Sequence, residues 1–244
     1  MLDQAFGGRN IYGQVIGILM LRTSFPRIPG DIGNASTFPF PVRYKVVEEA
    51  TADKVLNPEG DPTLLAPFVR AARELEQEGV KAIFTSCGFL AIFHRELVDA
   101  VDIPVFSSSL LQVPTACAVI KKTRKVGILS ASAGSLTPRH FAGVGLLDPP
   151  VLVRGLEGAE EFNSVFIGGK PSLDVARCTR EIVDAAKGLV GDHPEIGALV
   201  LECTNMAPFS HAIQAAVGLP VFDVVTMIRY AYSTLVQTEY QGFM

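Results

Sequence analysis

The 244-residue chain has no tryptophan, only four histidines and only four cysteines. The cysteines, Cys87, Cys117, Cys178 and Cys203, are widely spaced and form no Cys-x-x-Cys pair or Cys/His pair at zinc spacing. This excludes a disulfide framework or a zinc knuckle as the organising device and points to no metal and to free thiols in a reducing cytoplasm. Charge is sparse too: 19% of residues are charged and the formal net charge is −4, which provides no basic field to grip nucleic acid or an anionic membrane. The most apolar run, Ile11 to Leu21, is preceded by Asp3, interrupted by Gln14 and closed by Arg22. It is too short to span a bilayer, lacks a small-residue cleavage site and reads as a buried strand rather than a signal peptide.

What the chain does have is apolar material, 48% of residues, with 22 Gly and 16 Pro. That is enough for one large core or two small ones without staples. A mean hydropathy of +0.32 adds the expectation of a homo-oligomer. Short β-branched runs alternate with helical patterns. Strands are predicted at Gln14–Leu21, Tyr44–Val47, Ala82–Thr85, Val105–Phe106, Lys125–Ser130, Val151–Arg154, Ala198–Leu201 and Val221–Phe222. Apolar recurrence every three and four residues predicts helices at Pro62–Glu78, Leu90–Val101, Leu110–Lys121, Leu173–Val190, Met206–Val217 and Val224–Val236. Continuously apolar strands between amphipathic helices indicate an α/β fold with parallel sheets. Arg22 to Arg43 carries four prolines and two glycines, and reads as an extended loop of the kind that often serves function.

The chain also repeats itself. At an offset of 116 residues, Ala82 falls on Ala198, Cys87 on Cys203, Ala91 on Ala207, Phe93 on Phe209, and Pro104-Val105-Phe106 on Pro220-Val221-Phe222. At an offset of 110, Val15-Ile16-Gly17-Ile18-Leu19 resembles Lys125-Val126-Gly127-Ile128-Leu129. Apolar periodicity alone does not make cysteine and Pro-Val-Phe recur in register. The expected architecture is two similar parallel-sheet α/β lobes related by a pseudo-twofold axis, residues 1–113 and 114–244, with residues 224–244 a segment able to pack back on the first lobe.

In each half the cysteine follows a strand and precedes a helix, where open α/β sheets bind ligands and where backbone N–H groups favour thiolate. Across a pseudo-twofold, Cys87 and Cys203 would face one cleft from opposite sides. Such a pair suits removal of a proton from one face of a carbon and its return to the other. The carbanion beside a carboxylate needs hydrogen-bond donors. Candidates are the amides after each cysteine, including Gly88, the hydroxyls of Thr23, Ser86, Ser130, Ser132 and Thr204, the amide of Asn205, and Arg22 as a carboxylate clamp. Cys117 and Cys178 lie within helical patterns without counterparts and are expected only to pack. Ser107, Ser108 and Ser109 suit an N-cap. Glu202, at a strand end, is expected to point away from the neighbouring thiol.

The residues Gly17-Ile18-Leu19, Thr85-Ser86-Cys87-Gly88, Pro104-Val105 and Leu201-Glu202-Cys203-Thr204-Asn205-Met206 resemble the aspartate/glutamate racemase superfamily, which includes hydantoin racemases, maleate isomerases and arylmalonate decarboxylases. The resemblance covers nearly the whole chain. It implies an isomerase of the cytoplasm that uses no cofactor and no pyridoxal phosphate, acts on an amino acid or related small carboxylate, and has Cys87 and Cys203 as the two bases, with Thr204 helping to hold the carboxylate. Two departures matter. Gly88-Phe89 follows Cys87 where amino-acid racemases usually carry a polar pair, and Arg22-Thr23-Ser24 replaces a polar Asp-Ser-Gly loop. Phe89 makes the pocket more apolar, which keeps a hydantoin or maleate-type substrate open. The competing class is a two-lobed binding protein without chemistry.

Overall fold

The computed structural model describes residue 4 and residues 6–244. Among the described residues eight strands are present: β1 (Ile16–Leu21), β2 (Val42–Val47), β3 (Ala82–Thr85), β4 (Val105–Phe106), β5 (Lys125–Ser130), β6 (Val151–Gly155), β7 (Ile196–Leu201) and β8 (Val221–Phe222). They form two four-stranded sheets, in the orders β2-β1-β3-β4 and β6-β5-β7-β8, and every pairing is parallel. The central strands β1, β3 and β7 are almost wholly buried, as unbroken apolar runs require.

The internal repeat is visible in the strand registers. Ile83 pairs with Val105 and Phe84 with Phe106, while Leu199 pairs with Val221 and Val200 with Phe222. Ile16 pairs with Ala82, and Val126 with Ala198. The two lobes therefore share one pairing scheme at the offsets of 110 and 116 residues.

Among the described residues nine α-helices lie between and after the strands: α1 (Ala52–Val55), α2 (Leu65–Glu78), α3 (His94–Val98), α4 (Val113–Val119), α5 (Pro138–Gly143), α6 (Glu160–Phe162), α7 (Val175–Asp192), α8 (Ser210–Val217) and α9 (Val224–Leu235). Four continuous predicted helices are split. Tight 3-10 segments at Pro62–Leu64, Gly88–Phe93, Ser109–Gln112 and Thr204–Phe209 precede α2, α3, α4 and α8. In the last of these, Pro208 lies inside the segment, where it has no N–H to donate and its ring obstructs regular α-geometry. The sequence reading missed α1, α5 and α6. The first turn of α5 is fixed by Pro138 and a reciprocal Thr137/His140 cap, and α6 runs on into a π-helical turn, Asn163–Ile167.

The sheets share their covering helices. Val224, Val225, Met227, Ile228 and Ala231 of α9 pack with Ile16, Ile18, Ala82 and Phe84 of the first sheet, whereas Val113 and Ala116 of α4 pack with the core of the second. The proline-rich segment after β1 is a folded excursion built on buried Asp31. Asp31 pairs with Arg27 (2.7 Å) and accepts from the Gly33 amide (2.7 Å), and its carbonyl accepts from Thr37 Oγ1 (2.8 Å). Gly30 has φ +96° and lies so close to Pro208 that an added Cβ would meet its Cα at 2.9 Å, which brings the loop onto the second cysteine segment. Among the described residues, no helix is long and apolar enough to cross a membrane.

Candidate active site

The two cysteine segments leave their sheets in the same way. The amide of Ser86 donates to Leu19 O and that of Glu202 to Leu129 O, both at 2.9 Å. Each cysteine then opens a 3-10 segment. Two hydrogen bonds anchor the Ser86 position: its Oγ accepts from the Leu21 amide (2.9 Å), and its carbonyl accepts from Thr204 Oγ1 (2.6 Å). The two strand ends are thereby joined, and Cys87 and Cys203 line one cavity. A pocket at the carboxyl ends of parallel strands is the expected ligand site of such sheets.

The rest of the lining comes from segments that sequence reasoning did not assign. Phe25 and Arg27 arrive from the proline-rich excursion, and Phe166 and Ile167 from the π-helical turn. Phe25 packs edge-on against Phe166 (centroids 5.0 Å apart), and the Arg27 guanidinium lies 4.6 Å from the Phe25 ring centroid. Arg27 also donates to Thr23 Oγ1 (2.9 Å). Two of its five donors are thus used. Phe89 is buried, with His140 edge-on at 5.4 Å. Burial pulls the His140 imidazole down to about 4, against the raising effect of its bond with Thr137, so it is neutral near pH 7.

Of the residues expected at the site, Cys87, Cys203, Thr23, Gly88, Phe89, Thr204 and Asn205 line the cavity. Arg22 does not. It is exposed, and it borders a neighbouring depression with Ser24 and Asp53; Arg27 is the basic side chain among the described lining residues. Ser130 and Ser132 lie behind the wall. Ser130 Oγ donates to Glu202 Oε2 (2.8 Å) or Ser132 O (3.2 Å), and Ser132 pairs with Ser135. Ser108 caps the segment that follows it, through the Leu110 amide. His94 bonds Ser107 (2.9 Å) and stands outside the lining. Cys178 is buried in the second core, and Cys117 packs at its edge.

Glu202 corrects the sequence expectation. Strand alternation turns it away from the neighbouring Cys203 thiol, yet it lines the cavity that holds both thiols while fully buried. Two-residue alternation holds only inside a strand, and β7 ends at Leu201. Burial raises the Glu202 carboxyl to about 7, opposed by the Ser130 hydrogen bond. Expected thiolate stabilisation at the helix entrances is likewise outweighed. Burial and then the Glu202 charge push the Cys87 thiol up to about 12, against the Phe89 and Leu90 amides. Cys203 is driven well above the usual thiol range by the same two causes, against the Asn205 amide. Among the described residues, no three His, Cys, Asp or Glu side chains are placed to hold a metal ion.

A model of the Asp/Glu/Hydantoin racemase family matches residues 45–228. The chain belongs to that family. Its relatives include a dimethylsulfoniopropionate lyase of Durusdinium sp. clade D, 34% identical over 222 residues that cover 88% of this chain and 73% of that protein. Dimethylsulfoniopropionate lyase 3 of Emiliania huxleyi is 28% identical over 93% of this chain, which spans only 61% of that longer protein. Among solved structures, a glutamate racemase from Bacillus anthracis has the same fold, with a TM-score of 0.61 at 20% identity over 92% of this chain and 82% of that one. Two of these three proteins are named for a lyase and one for a racemase.

Proposed function

We propose that this chain is a lyase that removes the proton next to the carboxylate of a small substrate and expels a β-leaving group, with a sulfonium propionate of the dimethylsulfoniopropionate class as substrate. The observation that carries this reading is the content of one cavity: two thiols, the cation Arg27 and the rings of Phe25, Phe89 and Phe166. A carboxylate suits the free donors of Arg27. A sulfonium is a soft cation whose methyl groups suit aromatic faces. Phe89, in place of the polar residue usual after the first cysteine of amino-acid racemases, supports a substrate with an apolar or onium end. The names of the relatives supply the substrate class.

In this reading Arg27 orients the carboxylate and Cys87, the more accessible thiol, acts as thiolate on the α-carbon. The α C–H bond breaks toward sulfur, and its electron pair becomes the new C=C bond. The β C–S bond breaks, and a neutral dialkyl sulfide leaves with that bond's electron pair. An unsaturated carboxylate remains. Charge growing on the carboxylate during proton removal is met by Arg27, a preorganised cation in the cavity lining.

A second reading is favoured by the register of Cys87 and Cys203. Opposed thiols fit two-base racemisation of an amino acid or related carboxylate, and equally a hydantoin racemase or maleate-type isomerase. Both readings begin with the same proton abstraction and differ in what the carbanion does next. A panel of dimethylsulfoniopropionate, glutamate, aspartate, hydantoins and maleate in heavy water separates them. Elimination from the sulfonium alone supports the lyase. Deuterium entering an amino acid or hydantoin with loss of optical activity, and no sulfide from the sulfonium, overturns it.

A further inference from the structure

Resting on the reading of Cys87 as the base, we propose that Glu202 is the acceptor of the Cys87 thiol proton, so that the pocket's negative charge rests on the Glu202 carboxylate and passes to sulfur when substrate is attacked. Position is the first argument. Glu202 lines the cavity that holds both thiols and is fully buried. Its Oε2 accepts from Ser130 at 2.8 Å, while no described group hydrogen-bonds Oε1. That free oxygen lies against the Cys87 loop: a β-carbon on Gly88 would overlap both Glu202 Oε1 and the Glu202 carbonyl oxygen. Buried carboxylate oxygens are normally paired, because an unpaired one is costly.

The symmetry of the lobes is broken at this position. Ser86 and Glu202 hold equivalent places, each with its amide on the strand before. At Ser86 a hydroxyl suffices to anchor the loop, through the Leu21 amide. At Glu202 the chain places an ionisable group where the fold needs only a small polar one.

The groups facing Glu202 are few. Cys87 comes from the loop after β3, Cys203 is its own neighbour, Ser130 ends β5, and Arg27 lines the same cavity. Asp31 bears on Cys203 and is paired to Arg27. Burial places the Glu202 carboxyl at about 7, so it exchanges a proton near neutrality. Its charge opposes ionisation of Cys87. Once Glu202 takes the proton that opposition is gone, and only burial, the larger cause, still stands against the Phe89 and Leu90 amides that favour thiolate.

The cycle balances. The Cys87 S–H bond breaks and its proton joins Glu202 Oε1. The thiolate takes the α-proton and becomes thiol again, the sulfide leaves with the C–S electron pair, and Glu202 gives its proton to water. One proton is released for each zwitterionic substrate converted to sulfide and an unsaturated carboxylate anion.

The test needs no substrate. The full chain is alkylated with iodoacetamide between pH 5 and 10, and the rate at Cys87 is read by peptide mass spectrometry. A coupled pair reacts according to its shared charge state. The wild-type rate is therefore expected to rise through the ionisation of Glu202 and then flatten, whereas Glu202→Gln loses that step and reacts only as pH approaches the range of the thiol itself. Ser130→Ala keeps the carboxylate and moves the step to higher pH, which serves if Glu202→Gln does not fold. In turnover, Glu202→Gln is expected to lower kcat about 100-fold with KM nearly unchanged. A Glu202→Gln profile identical to wild type, or a Ser130→Ala step that stays in place, overturns the proposal. A wild-type chain that shows the step but removes no α-proton from any substrate supports the proton transfer and contradicts the functional reading.

Discussion

Thr204 Oγ1 donates a 2.6 Å hydrogen bond to the carbonyl oxygen of Ser86, a residue 118 positions earlier in the chain. This bond ties the segment before Cys87 to the segment after Cys203, so the spacing of the two thiols depends on a side chain that the family resemblance assigns to substrate. The only proton of the Thr204 hydroxyl is already committed to Ser86. Thr204→Val leaves a buried carbonyl unpaired and is expected to lower stability by about 1–3 kcal/mol, while Thr204→Ser retains it. Thermal unfolding of the two variants checks this. Equal loss in both would show that the hydroxyl is not the stabilising group.

The thiols are expected to differ in their importance. If Cys87 is the base of an elimination, Cys87→Ser should lower kcat by at least about 10³-fold, within the usual range for a missing base. Cys203→Ser should retain elimination to within about tenfold and abolish any exchange at the opposite face. Turnover and α-hydrogen exchange measured on the same samples decide it, and equal inactivation of both variants would favour the two-base reading.

Arg27 is held by Asp31 and Thr23. Arg27→Lys preserves the charge but cannot span both partners and a carboxylate with one ammonium. KM is expected to rise about tenfold with a smaller change in kcat. Arg27→Met leaves Asp31 as an uncompensated buried charge and should cost about 3–5 kcal/mol of stability, readable from denaturant unfolding. Arg22→Met, outside the cavity, should leave KM unchanged.

Stability against pH carries two opposing signatures. Glu202 is raised to about 7 from an ordinary carboxylate value near 4.5. Between these values the native state holds a proton that the unfolded chain has lost, so this contribution is full below about pH 4.5 and falls as pH rises to 7, by about 3 kcal/mol in all. His140, lowered to about 4, does the reverse: its neutral native form is favoured above about pH 6.5, and that stability is lost as pH falls toward 4. The two partly cancel in the wild type. The difference between wild type and Glu202→Gln isolates the carboxylate, and it should decline from pH 4.5 to 7. A flat difference contradicts the raised Glu202.

The fold and both thiols were legible because a duplicated chain keeps its register. Offsets of 110 and 116 residues read from Gly17/Gly127 and Cys87/Cys203 are the offsets at which Ile16 and Ala82, and Val126 and Ala198, pair in the sheets. Arg27, Phe25 and Phe166 were not legible because they come from a proline-rich excursion and a π-helical turn, which have no periodicity to place a side chain. Glu202 was misplaced because strand alternation was extended past Leu201, where the strand stops. The helix entrances favour a thiolate on one of the two cysteines, and burial beside a carboxylate outweighs the local amides at both.

The central claim is that Cys87 in this cavity removes an α-proton and a sulfide leaves. Its most direct test is headspace detection of dimethyl sulfide, with NMR of the unsaturated acid, from dimethylsulfoniopropionate incubated with wild type and with Cys87→Ser. Equimolar sulfide and acid are expected from the wild type, and neither above background from the variant. No sulfide from the wild type, or undiminished release from Cys87→Ser, contradicts it.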